Sequence, residues 1–252
     1  MNRLVGCLGI GLVAGFLSGL LGVGGGVLIV PALVLLLGFP QKLASGTSLL
    51  AVAPISTVGL LTYLVEGRVD WAIGLPLAAG TVLGGVLGSW LLARLPARVV
   101  SWVFIAVMVV TAIRMCFADP PTGGSTGLDW WRIVLLVAIG IVTGILSGLV
   151  GVGGGIIIVP ALTVGIGIEA LLAKGASLVA MLPNAVVSSV LNLRRRNADL
   201  VAGLTIGFAG CLTTILGSLV AGWIDARVGS IVFAVFLLLV AVQMALRLRR
   251  RR

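Results

Sequence analysis

Residues 19–33 read GLLGVGGGVLIVPAL, and residues 148–162 read GLVGVGGGIIIVPAL. Leu, Val and Ile on both flanks demand an apolar environment, yet Gly24, Gly25 and Gly26 stand in succession at the centre. Each Gly in a helix interior is about 1 kcal/mol less favourable than Ala, so three in a row mark the point where a helix is expected to stop. The same conflict recurs at Gly153, Gly154 and Gly155. The fold therefore turns on what surrounds two interrupted apolar segments.

The 252-residue chain is 60% hydrophobic and 10% charged, with a mean hydropathy of +1.28. Soluble domains are about half apolar and about a quarter charged, so this is the composition of an integral membrane protein. Its apolar runs of about 17 to 25 residues, separated by short charged punctuation, suit helices crossing a roughly 30 Å hydrocarbon core. A membrane barrel would instead show weak alternating segments of about ten residues. The expected fold class is an all-α polytopic membrane protein.

Lys and Arg number 17 against 7 Asp and Glu. Arg247, Arg249, Arg250, Arg251 and Arg252 follow directly on an apolar run, and Arg194, Arg195 and Arg196 sit between two others. Both clusters read as cytoplasmic anchors, with anionic lipids as the counter-surface of the basic tail. Nucleic acid is not an expected partner, because no basic face interleaved with aromatic residues accompanies them. Cys7, Cys116 and Cys211 lack metal-ligand spacing and read as small packing residues. Leu4-Val5-Gly6-Cys7 resembles a lipoprotein cleavage box but comes too early for one, so the N-terminus is expected to belong to the mature protein. No metal and no cofactor is expected.

Laid on itself with an offset of 129 positions and no gap, the chain matches Gly22 to Gly151, Pro31 to Pro160, Gly46 to Gly175, Pro54 to Pro183 and Asp70 to Asp199. Between Gly15 and Leu33 the copies differ only at Phe16, Leu21, Val27 and Leu28, each replaced by another apolar residue. Such self-similarity is the mark of two copies of one helical unit, common in secondary transporters, with a site expected between the copies. Residues 1–118 form the first transmembrane repeat, 119–132 an exposed Pro/Gly/Ser-rich loop, 133–246 the second repeat and 247–252 the basic tail. Trp130 and Trp131 suit a membrane interface.

Each repeat opens with an apolar region of about 35 residues, 4–38 and 133–167, followed by runs at about 43–65, 71–93 and 98–117, and at about 172–193, 200–222 and 229–246. At 1.5 Å per residue, 35 residues would make a helix of roughly 52 Å, too long for one span and short for two. A break at the glycines resolves the length into two shortened helices or a hairpin. Counted as a hairpin, the region makes the copies inverted, with Arg3, Lys42, Arg94, Arg98 and the Arg194 block on the side of the tail. Counted as one span, it makes them parallel, with Arg68, Arg114 and Arg132 replacing Lys42, Arg94 and Arg98. Both arrangements satisfy the positive-inside rule equally; the length argument favours inversion.

An unwound Gly24-Gly25-Gly26 ahead of a helix from Val27 exposes backbone donors at a helix N-terminus, and Gly153-Gly154-Gly155 supplies a second end. The expectation is a small-anion site in which Gly22, Gly24, Gly25 and Gly26 face Gly151, Gly153, Gly154 and Gly155. Gly11, Gly15 and Gly19, with Gly140, Gly144 and Gly148, have the interval of four that packs transmembrane helices, and they are read as packing faces. A nucleotide loop is excluded: no Lys-Ser/Thr follows, and Val27 stands where GxGxxG needs its third Gly.

Polar residues in apolar runs are costly unless they face a partner. Thr47, Ser48, Ser177 and Asn184 are site candidates for that reason, although a lone Ser is often satisfied by its own helix. Ser48 and Ser177 are matched, as are Ser18 and Ser147. Lys174 reads either as counter-charge to an anion or as an interfacial residue whose ammonium reaches toward water. Asp70 and Asp199 read as helix caps. The chain has no His, which removes the usual imidazole proton relay.

The duplicated Gly22-Val23-Gly24-Gly25-Gly26 with Pro31, and Gly151-Val152-Gly153-Gly154-Gly155 with Pro160, resemble the TauE/SafE family of sulfite exporters and sulfonate permeases, over almost the whole chain. The resemblance implies secondary transport of a small sulfur oxyanion, sulfite or an organosulfonate, across the bacterial inner membrane by alternating access. It lends importance to the glycine segments and to the runs beginning near Gly46 and Gly175; Ala176 replaces Thr47 in the second copy, so the half-sites need not contribute equally. Other classes remain: a passive anion channel using the same helix ends, or a non-transporting scaffold. An enzyme is not expected, for want of a paired nucleophile and base. Oligomeric state is open, a homodimer included.

Overall fold

The computed structural model describes residues 3–117, 129–221, 223 and 226–250, which form ten α-helices joined by short turns. The first copy comprises α1 (Arg3–Leu21), α2 (Gly26–Leu35), α3 (Gln41–Val65), α4 (Trp71–Arg94) and α5 (Ala97–Phe117). The second comprises α6 (Trp130–Val150), α7 (Gly155–Pro160), α8 (Ala170–Arg194), α9 (Leu200–Ala221) and α10 (Ala226–Arg250). α7 runs on into a π-helical turn, Ala161–Ile166. Most of the linker, Arg251 and Arg252, and the side chains of Cys116, Arg247, Arg249 and Arg250 lie outside the described residues.

Six helices, α1, α3, α4, α6, α8 and α9, are long and apolar enough to cross a bilayer, so the molecule is a multi-pass membrane protein. α2, at 10 residues, is roughly 15 Å long and reaches only half way. Caps start the fourth helix of each copy as the sequence suggests. Asp70 Oδ1 accepts from the Ala72 amide, and Asp199 Oδ1 from the Ala202 amide, both at 2.9 Å. Trp130 and Trp131 open α6 and are exposed.

The glycine stripes pack the first helix of each copy on the fourth helix of the other. Along α1, Gly11 lies on Ile206, Gly15 on Gly210 and Gly19 on Thr214 of α9. Along α6, Gly140 lies on Gly80, Gly144 on Thr81 and Gly148 on Gly85 of α4. Residue numbers climb together in both pairs, so each pair runs in parallel. A methyl group on any of these six glycines would strike the neighbour's backbone. Between lipid-embedded helices this close approach supplies the dispersion contacts that a hydrophobic driving force supplies in water.

α3 also runs with α9, Gly203 meeting Leu50 and Gly210 meeting Ile55. α8 runs with α4, Gly74 meeting Val179, the Thr81 hydroxyl donating to the Ala180 carbonyl at 2.8 Å, and Gly85 meeting Asn184. α3 and α8 are themselves antiparallel: Gly46 near the start of α3 meets Asn192 and Asn197, while Gly175 near the start of α8 meets Arg68. Helices α1, α3 and α9 thus point one way and α4, α6 and α8 the other. An ion pair, Arg3 Nη2 to Asp199 Oδ2 at 2.6 Å, joins the N-terminal ends of α1 and α9.

Both first regions break, but not where the triplets alone suggest. The unwound residues of the first copy are Gly22 to Gly25, and Gly26 is already the first residue of α2. In the second copy Gly151 to Gly154 are unwound and Gly155 begins α7. The third glycine of each triplet is needed for contact rather than for conformation, as the site shows.

Candidate functional site

The two breaks lie against each other, backbone to backbone. A methyl on Gly26 would stand 2.6 Å from the Val152 carbonyl oxygen, and one on Gly155 would stand 2.7 Å from Val23 Cα. Any side chain at either position would force the breaks apart. Gly25 and Gly154, the N-cap residues of α2 and α7, have φ of +71° and +99°, a region L side chains avoid. Each turns the chain so that its own carbonyl starts the helix behind it: Gly25 accepts from the Leu28 and Ile29 amides, Gly154 from those of Ile157 and Ile158.

That geometry leaves donors over. Among the described residues, no acceptor is paired with the amides of Gly24, Gly25, Gly26 and Val27, or with those of Gly153, Gly154, Gly155 and Ile156. Each set belongs to the positive end of a short helix, and the ends adjoin. Two partial positive charges held together away from water repel, and a small anion between them relieves that repulsion.

Each break is seated on the long helix of the other copy. Ser177 Oγ of α8 donates to the Gly22 carbonyl at 2.6 Å, and Lys174 Nζ donates to the Leu20 carbonyl at 3.0 Å. A methyl on Gly22 would stand 2.5 Å from Lys174 Cβ. In the second copy Gly151 rests on the backbone of Ser45, 2.5 Å from its Cα by the same measure. Gly24 and Gly153 both face Met181, with Val52, its counterpart at an offset of 129, beside it.

Of the residues singled out in the sequence, the eight motif glycines, Lys174 and Ser177 are thus brought together. Ser48 is buried on α3 with its hydroxyl unpartnered. Thr47 points elsewhere: its hydroxyl accepts from the Asp199 amide at 2.9 Å, and so it holds the start of α9. Asn184 is engaged in a network, donating to Ser147 Oγ at 2.9 Å and accepting from Ser188 Oγ at 3.2 Å. That network ties α6 to α8, each such bond contributing about 0.6 kcal/mol in membrane proteins.

Sequence reading missed Val52, Ser56 and Met181. An apolar residue in an apolar helix carries no contrast, so only position reveals Val52 and Met181. Ser56 carried a signal, a hydroxyl inside an apolar run with Ala185 at the matched position, two turns along α3 from Ser48.

A bundle of membrane-crossing helices in two homologous copies, with broken helices meeting between them, defines the class of polytopic membrane transporters built on internal repeats. The family model for sulfite exporter TauE/SafE matches residues 7–144 and again 136–252, and the chain belongs to that family. A probable membrane transporter protein of Xylella fastidiosa is 29% identical over 245 residues, 93% of this chain and 94% of the relative. The probable membrane transporter protein YunE of Bacillus subtilis is 33% identical over 110 residues, 44% of this chain and 40% of that relative's length. MJ0441 of Methanocaldococcus jannaschii, also a probable membrane transporter protein, is 28% identical over 159 residues, 61% of this chain and 59% of the relative. No solved structure matches the chain.

Proposed function

We propose that the chain is a secondary transporter that moves a small anion, sulfite or an organosulfonate, by alternating access, the anion binding between the two glycine breaks. The observation that carries this reading is the apposition of two helix N-termini with unpaired amides, Gly26 against Val152 and Gly155 against Val23. Family membership supports the transport class, and the sulfite in the family's description supports the choice of anion. The antiparallel contact of α3 with α8 supports copies that cross the bilayer in opposite senses, which lets one bound site face either side in turn. On this reading Arg194, Arg195, Arg196 and the tail face the cytoplasm, on anionic lipid.

The test is uptake by proteoliposomes offered sulfite, sulfate, thiosulfate, sulfoacetate and taurine, with proton and substrate gradients imposed separately. Accumulation against the substrate gradient is expected; purely downhill flux would identify a channel, and no flux at all a scaffold. Gly25→Leu and Gly154→Leu are expected to abolish uptake while the protein still inserts into the membrane. Wild-type flux in either variant would remove the site.

A further inference from the structure

The two breaks are copies in sequence, but the hydroxyls around them are not equivalent. In the second copy they are engaged or absent: Ser177 donates to the Gly22 carbonyl, Ser147 accepts from Asn184, and Ala185 stands where the first copy has Ser56. In the first copy Ser18, Ser45, Ser48 and Ser56 are all buried, and none of their hydroxyls has a partner. Ser45 meets the second break through its backbone and Ser18 accepts from the Gly22 amide through its carbonyl, whereas Ser56 turns its hydroxyl toward Gly24 of the first break. It is fully buried, and its Oγ stands 3.4 Å from the position a methyl on Gly24 would occupy. A donor left unpaired in such surroundings is expensive unless a ligand completes it.

Met181 closes the same spot from the other copy. Its Cε lies against Gly24 and 2.5 Å from a methyl placed on Gly153, and its Sδ lies 2.7 Å from one placed on Gly155. Val52, at the equivalent position, is shorter, with Cγ1 3.2 Å and 3.0 Å from the Gly24 and Gly153 methyl positions. Both copies thus reach the centre, Met181 further than Val52, and both do so with side chains rather than backbone, the longer being a flexible thioether.

We infer that the anion seats on the first-copy break, bound by the amides of Gly24, Gly25 and Gly26 and by the Ser56 hydroxyl, and that Met181 sets its size limit. This rests on the transport reading above and narrows its substrate to compact oxyanions. Sulfite offers several acceptor oxygens to amides and a hydroxyl, and it has no tail. A sulfonate with an organic tail must place that tail where the Met181 methyl lies.

The experiment compares the full-length wild type with Ser56→Ala, Ser56→Thr, Met181→Val and Gly25→Leu in proteoliposomes, using radiolabelled sulfite and taurine. Ala already occupies the matched position 185, so Ser56→Ala is compatible with the helix and is checked by elution as a single detergent-solubilised species. Its apparent KM for sulfite is expected to rise about tenfold with Vmax within about twofold, the loss of one hydrogen bond to a charged ligand, and Ser56→Thr is expected to restore it. Met181→Val, which leaves Ser56 untouched, is expected to gain taurine uptake that the wild type lacks. A wild-type sulfite KM in Ser56→Ala, equal damage in Ser56→Ala and Ser56→Thr, or a Met181→Val variant still closed to taurine overturns the proposal. If Gly25→Leu nevertheless abolishes flux, the transport reading survives that result; if Gly25→Leu also transports normally, both fall together.

Discussion

Lys174 stands on α8 where α3 has Ser45, and its ammonium donates to the Leu20 carbonyl at the C-terminal end of α1. Sequence left it between a counter-charge and an interfacial residue. The contact adds a third reading, a cation at the negative end of α1 beside the first break. Lys174→Met is therefore expected to destabilise the detergent-solubilised protein by about 1–2 kcal/mol while moving the sulfite KM less than about twofold. Unfolding midpoints and uptake curves separate the two effects. A KM raised by an order of magnitude at unchanged stability would return Lys174 to direct contact with the anion.

Gly25 and Gly154 illustrate a different limit on what sequence conveys. They are matched residues with matched conformations, yet a methyl on Gly25 would stand 2.8 Å from the Ala14 carbonyl oxygen, whereas one on Gly154 has 3.6 Å to its nearest neighbour. Gly154→Ala meets only the backbone strain of its positive φ, about 1–2 kcal/mol, and is expected to retain reduced uptake. Gly25→Ala adds the collision and is expected to lose more of both stability and uptake. The triplet was legible as an interruption; the different surroundings of its two copies were not, because they depend on helices distant in sequence.

At the scale of elements, the interval-of-four glycines were readable as packing faces, and α1 does lie on α9, and α6 on α4, through those faces. Their partners were not readable, since spacing along one helix specifies a face but not which of several apolar neighbours meets it. The helix runs were legible to within a few residues because charges, caps and prolines punctuate them. The break was displaced toward the N-terminus because Gly26 and Gly155 owe their identity to contact across the copies. Gly15→Ala places its methyl on the Gly210 backbone and is expected to cost about 3 kcal/mol or more through forced separation of α1 from α9. Gly9→Ala, on the same helix with nothing within 4 Å of its methyl, is the control and is expected to leave stability unchanged or slightly raised. Thermal unfolding of the two variants in one detergent makes the comparison, and equal midpoints would mean that α1 does not pack on α9 as described.

For the whole molecule, the distribution of Lys and Arg allows two topologies of equal merit, since moving Lys42, Arg94 and Arg98 outside brings Arg68, Arg114 and Arg132 inside. The packing directions bear on the choice directly. Val65 and Arg194 are matched residues, the last of α3 and of α8, and both are exposed. In parallel copies they would lie on the same side of the membrane. Here the end of α3 adjoins the start of α8, where Gly175 meets Arg68, and α3 is 25 residues, roughly 37 Å, long. The two residues therefore sit at opposite ends of the bundle. In a chain with Cys7, Cys116 and Cys211 changed to Ala, Val65→Cys is expected to react with an impermeant maleimide added to intact cells. Arg194→Cys, on the side of the basic tail, is expected to react only after permeabilisation. Labelling of both from the same side would establish parallel copies and would remove the support that copies of opposite sense give to the proposed alternating access.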